Sequence, residues 1–215
     1  MYKAILFDIV DTIAYAKKSI DYNKASRIVQ AYNYPIYAQA LQASLRYVVF
    51  VKGHDITSYT QLSKQTLQHL FVPYDKRLID ALAKYLEQSY VLAYTKDYAM
   101  IRKKVTVPRG LVTTTPRFMF EHGLKKYLHD FSVIITCKEA KTSKPDPRIY
   151  KMALERIGNY KPSQVLYVGD DVDLDIQPAK KLGCTTVYIH KEAKICKHAH
   201  INISSLQELL PLLTR

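Results

Sequence analysis

Residues 5–12 read ILFDIVDT, an apolar run that meets a carboxylate without any polar alternation before it. A strand apolar on both faces belongs inside a parallel sheet, covered above and below. The same texture returns later in the chain. GLVT (110–113), FSVIIT (131–136), VLYVGD (165–170) and TTVYIH (185–190) all read as short buried strands. Between the second and third of these, Asp146-Pro147 opens a helix with Ile149, Tyr150, Ala153, Leu154 and Ile157 on its apolar side, closed by Gly158. Strands alternating with helices predict a doubly wound parallel sheet of the Rossmann-like α/β class.

One strand precedes a long helical stretch and the others follow it. From about residue 14 to 100, stripes recur at helical spacing: Ala25, Ile28, Val29 and Tyr32; Ala38, Leu41, Leu45 and Val48; Leu78, Ala81, Leu82 and Tyr85. This pattern predicts an α/β core from residues 1–13 and 105–215, with residues 14–104 inserted as an all-helical domain. The tail INISSLQELLPLL has capping-box spacing, Ser204 to Gln207 or Ser205 to Glu208, before a leucine-rich helix.

Composition narrows the function classes. No apolar run approaches the ~18 residues of a membrane span, and MYKAILFD lacks the basic-then-apolar order of a signal peptide. Three widely spaced cysteines, Cys137, Cys184 and Cys196, form no disulfide framework, which favours a reducing cytoplasm. The net charge of +13 suits attraction of small anions. The basic residues are scattered, with no nucleic-acid-binding signature, so nucleic acid is not the expected partner. HKEAKICKHAH (190–200) carries His190, Cys196, His198 and His200, at spacings that fit no standard zinc pattern.

Ligands of open α/β sheets bind outside the carboxyl ends of the strands. Those ends carry Asp8, Thr113 and Thr114, and Gly169 followed by Asp170 and Asp171, with Asp173 and Asp175 just beyond; Lys144 precedes the Asp146 helix. Converging carboxylates repel unless a cation joins them, and an all-oxygen set suits Mg²⁺ with phosphate oxygens. A carboxylate can also attack phosphorus, while lysine and hydroxyl groups offset the charge that develops. The set is coherent for phosphoryl transfer.

Asp8 to Thr12, Thr113, Lys144-Pro145 and Gly169-Asp170-Asp171 through Asp175 stand in the order and settings of the haloacid dehalogenase (HAD) superfamily, which the chain resembles through its predicted core. Residues 14–104 have the position and length of that family's helical (C1-type) cap. The resemblance implies a Mg²⁺-dependent hydrolase, foremost a phosphatase acting on a small phosphorylated metabolite. It implies Asp8 as nucleophile and metal ligand, with the Val10 carbonyl as a second ligand. Thr113 then binds the phosphoryl group, Lys144 steadies its charge, and Asp170 holds the metal with Asp171 or Asp175. Thr114 and Asp11 are expected beside the substrate.

One departure stands out. Family phosphatases usually carry an acid/base aspartate two residues after the nucleophile, and here that position is Val10; Asp11 follows where glycine is common. Two alternatives therefore stay open: a 2-haloacid dehalogenase-like hydrolase of carbon–halogen bonds, and a phosphate-binding protein without turnover.

Overall fold

The computed structural model describes residues 2–213. The chain runs β1 (Ala4–Phe7), β2 (Ala14–Lys18), α1 (Tyr22–Gln30), α2 (Ala38–Lys52), α3 (Tyr59–His69), α4 (Lys76–Ser89), β3 (Val91–Tyr94) and α5 (Lys96–Ile101). It continues through β4 (Arg109–Thr113), α6 (Arg117–Leu124), β5 (Val133–Thr136), α7 (Cys137–Ala140), α8 (Pro147–Gly158), β6 (Val165–Gly169), α9 (Gln177–Lys181), β7 (Thr185–Ile189), β8 (Ile201–Ile203) and α10 (Leu210–Leu213).

Six strands form one parallel sheet in the order β5-β4-β1-β6-β7-β8. β1 lies between β4 and β6, so the sheet fans out to both sides of the strand that ends at Asp8. Successive side chains of β1 point to opposite faces. Ile5 and Phe7 join one apolar layer with α5 and α6, and Ala4 and Leu6 join the other with α8 and α9. This burial on both faces is why β1 reads as an unbroken apolar run.

The insertion has a core of its own. Val29, Leu41, Leu45, Val48, Leu62, Leu78, Leu82 and Leu86 from α1–α4 pack together as a helical bundle. Asp21, Ser58 and Asp75 cap α1, α3 and α4 by accepting from backbone N–H groups of the first turn. The capping box at the C-terminal end is Ser205–Glu208, at the head of a 3₁₀ turn that leads into α10.

Two strands lie where the helical pattern predicts none. β2 and β3 pair antiparallel, Ala14 opposite Tyr94, as a ribbon at the base of the insertion. Four of the five β2 residues are exposed, so the strand has no apolar face to show in its sequence. Ala14, Leu92, Tyr98 and Ile101 pack into the α/β core rather than into the helical bundle. The ribbon is seated tightly: a Cβ on Gly123 of α6 would stand 2.2 Å from the Leu92 carbonyl oxygen.

The bundle also touches the core directly. Met119 of α6 is buried in the bundle's own cluster, and Gly53 lies against Cys137, whose Sγ would be 3.2 Å from a Cβ there. All three cysteines are buried free thiols. Among the described residues, no helix is long and apolar enough to cross a membrane.

Candidate active site

A cavity of about 270 Å³ opens between the bundle and the carboxyl edge of the sheet. Asp8, Val10, Asp11, Thr113, Thr114, Lys144, Asp170, Asp171 and Asp175, each drawn from the sequence as a site residue, all line it.

β1 delivers Asp8 because its backbone N–H continues the ladder to the Val168 carbonyl, 2.9 Å away. The chain then turns at once: the N–H groups of Ile13 and Ala14 both donate to the Ile9 carbonyl, at 3.1 and 2.9 Å. That turn needs a left-handed residue, and Asp11 supplies it with φ 57°. Aspartate is among the few non-glycine residues that tolerate this region. The turn carries Asp11 onto the cavity wall, which Val10 also lines while packing against the apolar core.

Lys144 is the electrostatic centre. Its Nζ donates to Asp8 Oδ1 and to Asp175 Oδ1, each at 2.6 Å, and its side chain is 2% exposed. Burial opposes its charge, but Asp175 and Asp8 outweigh that and push its pKa above the ordinary lysine value. Tyr167 also donates to Asp175 Oδ1, at 3.2 Å.

A π-helical turn, Val172–Ile176, follows β6 and folds Asp175 back over the strand end. Such turns often mark functional sites. The Asp171 carboxylate caps this turn, accepting from the N–H groups of Asp173 and Leu174 at 2.8 Å each. The Asp171 N–H in turn donates to Asp175 Oδ2 at 3.2 Å. Gly169 makes the fold-back possible, since a Cβ there would fall 2.4 Å from Asp175 Cβ. Gly169→Ala should therefore cost about 1–3 kcal/mol by overpacking and should displace Asp175. Thermal unfolding with and without Mg²⁺ measures both effects; an unchanged Tm and an unchanged Mg²⁺ response would contradict this.

Asp8, Asp170 and Asp175 each offer an oxygen within 4.8 Å of the other two, the one such cluster among the described residues. Three convergent carboxylate oxygens are the donor set of a hard divalent cation such as Mg²⁺. Their electrostatics agree. Burial, then the charges of Asp8, Asp175 and Asp11, push the Asp170 carboxyl up to about 7. Burial also raises Asp175, with Asp8 adding to the effect and Lys144 opposing it. Thr12 donates to Asp170 Oδ1 at 3.3 Å.

A carboxyl raised to about 7 binds a proton in the folded chain at pH values where the unfolded chain, near 3.9, has lost it. Stability of the metal-free protein is therefore expected to fall as pH rises from about 4 to about 7, then level off. A divalent cation held by these carboxylates must displace that proton below about pH 7, so the stabilisation it gives should grow with pH through the same window. Melting curves between about pH 5 and pH 8, with and without Mg²⁺, check this. A Mg²⁺ response that does not vary with pH would contradict it.

Thr113 is buried and its Oγ1 accepts from the Thr115 N–H at 3.1 Å. From the bundle side come Ile20, Tyr22, Leu45, Arg46, Val49, Phe50 and Tyr90. None of these is marked as functional by the sequence. Phe50 alone carries a signal, being an apolar residue of α2 outside the Leu41–Leu45–Val48–Val49 stripe that faces the bundle core.

Residues 2–183 match the haloacid dehalogenase-like hydrolase family. Glyceraldehyde 3-phosphate phosphatase of Methanocaldococcus jannaschii is 26% identical over 225 residues, covering 99% of this chain and 97% of its own length. Phosphoglycolate phosphatase of Escherichia coli is 31% identical over 137 residues, 59% of this chain and 52% of that protein. The crystal structure of 2-haloacid dehalogenase from Pseudomonas syringae superimposes with a TM-score of 0.71 at 18% identity, covering 99% of this chain and 98% of that one.

Proposed function

The chain belongs to the haloacid dehalogenase-like hydrolases, and from that premise we propose that it is a Mg²⁺-dependent phosphatase of small phosphorylated metabolites. The observation that carries this reading is Asp8, held by the buried Lys144 in a cluster with Asp170 and Asp175. Two relatives bear the names of small-metabolite phosphatases, and the cavity of about 270 Å³ accommodates a small ester. Within the expected insertion of residues 14–104, the α1–α4 bundle acts in this reading as the cap, while the β2–β3 ribbon and α5 pack into the core beneath it.

Asp8, Asp170, Asp175 and the Val10 carbonyl would hold the Mg²⁺; bound there, it offsets the charge of the carboxylates and of the phosphoryl oxygens. Asp171, whose carboxylate is engaged in the turn, supports Asp175 from behind. Lys144, which donates to Asp8 Oδ1 at 2.6 Å, aims that carboxylate for attack. An Asp8 oxygen attacks phosphorus, the ester oxygen leaves, and an aspartyl-phosphate forms; water then attacks phosphorus and returns Asp8. Thr113 and Thr114, which line the cavity, would donate to the phosphoryl oxygens. Carbon–halogen hydrolysis has no use for a three-carboxylate metal cluster, which favours the phosphatase.

Val10 moves no proton, so the leaving group's proton falls to another side chain. Asp11, on the cavity wall and outside the three-carboxylate cluster, is assigned that role. Acid–base assistance is typically worth ~10²–10⁴-fold, and aryl esters need it least. Asp11→Asn should therefore depress kcat/KM for alkyl phosphates at least ~10-fold more than for an activated aryl phosphate. Equal losses on both classes would remove Asp11 from proton transfer.

The reading as a whole is tested by Mg²⁺-dependent phosphate release from a panel of monoesters. Absence of turnover on every ester, including the aryl phosphate, would sink it.

A further inference from the structure

We propose that Arg46 is a specificity residue that binds a second oxyanion on the leaving group, so that the substrate is a short phosphate ester ending in a carboxylate or a second phosphate. This inference rests on the phosphatase reading above. Two cations line the cavity, Lys144 and Arg46. Lys144 is committed to Asp8 and Asp175. Arg46 makes no ion pair or side-chain hydrogen bond among the described residues. Arg46 is a solvent-exposed residue that lines the cavity, and an arginine so placed without a carboxylate partner is available as a bidentate receptor for an oxyanion.

Its placement argues for a group remote from the reacting phosphorus. Arg46 stands on α2, across the cavity from the strand ends that carry the carboxylates. Arg46 acts on Tyr22, whose hydroxyl it draws downward against burial. Phe50 lies one turn further along α2, and Leu45, Val49 and Ile20 complete an apolar wall beside it. A leaving group that fits this wall has a short apolar middle between the ester oxygen and the terminal anion. The cluster opposite takes the phosphoryl end.

The test compares three esters of matched length, ending in a carboxylate, a phosphate or a neutral hydroxyl, using wild type, Arg46→Met and Arg46→Lys. Wild type is expected to prefer at least one anionic ester over the neutral one. Arg46→Met should shrink that preference ~10–100-fold, the range of a charge-assisted hydrogen bond. Arg46→Lys, a point charge without the fork, should recover part of it. The carboxylate and phosphate arms decide which oxyanion is meant. No preference in wild type, or a preference untouched by Arg46→Met, overturns the proposal.

Calorimetric binding of a phosphonocarboxylate against an alkyl phosphonate of equal length, in Mg²⁺-loaded wild type and Arg46→Met, reads the same contact without turnover. If no ester is hydrolysed yet the phosphonocarboxylate binds through Arg46, the phosphatase reading fails and the oxyanion site stands. If esters are hydrolysed and neither ligand series depends on Arg46, the oxyanion site fails alone.

Discussion

Lys144→Met is expected to destabilise the protein by about 3–5 kcal/mol, the usual cost of leaving a buried charge without its partner. The ammonium stands 2.6 Å from both Asp8 and Asp175, and the Asp175 side chain is 2% exposed. Without Lys144, Asp175 keeps only the Tyr167 hydroxyl and the Asp171 N–H as donors. Two neighbouring carboxylates then face each other with one of them fully buried. For a chain of this size each kcal/mol moves Tm by roughly 2–4 °C, so a drop of roughly 6–20 °C should appear by calorimetry. Adding Asp175→Asn should restore part of it, because the substitution removes the stranded charge. A loss under about 1 kcal/mol, the range of exposed ion pairs, would show that the pair is screened and that Lys144 does not organise the site.

Asp8→Asn should do the opposite. It is nearly isosteric, it leaves Lys144 paired with Asp175, and it removes one of three mutually repelling carboxylates. The metal-free variant should therefore melt at the wild-type temperature or above it. Its turnover should fall at least ~10³-fold, since an amide cannot attack phosphorus and single removals of a nucleophile cost on this scale or more. The Mg²⁺-induced stabilisation should also shrink, because one ligand of the cluster is lost. Calorimetry and a phosphate-release assay on the same preparation separate these effects. Reduced stability with residual activity would place Asp8 among structural residues instead.

Much of this site is legible in the sequence, for a physical reason. Asp8, Thr113 and Asp170 sit at the carboxyl ends of strands that are apolar on both faces. Such strands announce their own ends, and the ends of a parallel sheet converge. Lys144 was legible through the Pro145-Asp146-Pro147 run, which stops the chain and caps α8 beside the sheet edge.

The choice between Asp171 and Asp175 was not legible. It depends on a π-helical turn, and a one-residue expansion of a helix leaves no periodicity to read over five residues. Asp11 was ambiguous for a related reason: its access to the cavity follows from one positive φ, not from its spacing. The β2–β3 ribbon escaped because its partners are far apart in the chain and its first strand is exposed. Tyr22, Arg46 and Tyr90 reach the cavity only once α1, α2 and β3 are set over the sheet edge. That placement depends on contacts such as Met119 in the bundle and Gly53 against Cys137, which are tertiary in origin.

The central claim is that Asp8 attacks phosphorus. It is tested most directly by acid-quenching Mg²⁺-loaded protein within one turnover of a phosphorus-labelled aryl ester, then treating it with hydroxylamine, which cleaves acyl-phosphates. Label held on wild-type protein, released by hydroxylamine and absent from Asp8→Asn, is the expected result. Hydrolysis with no protein-bound label in wild type, or equal label in Asp8→Asn, would contradict the account.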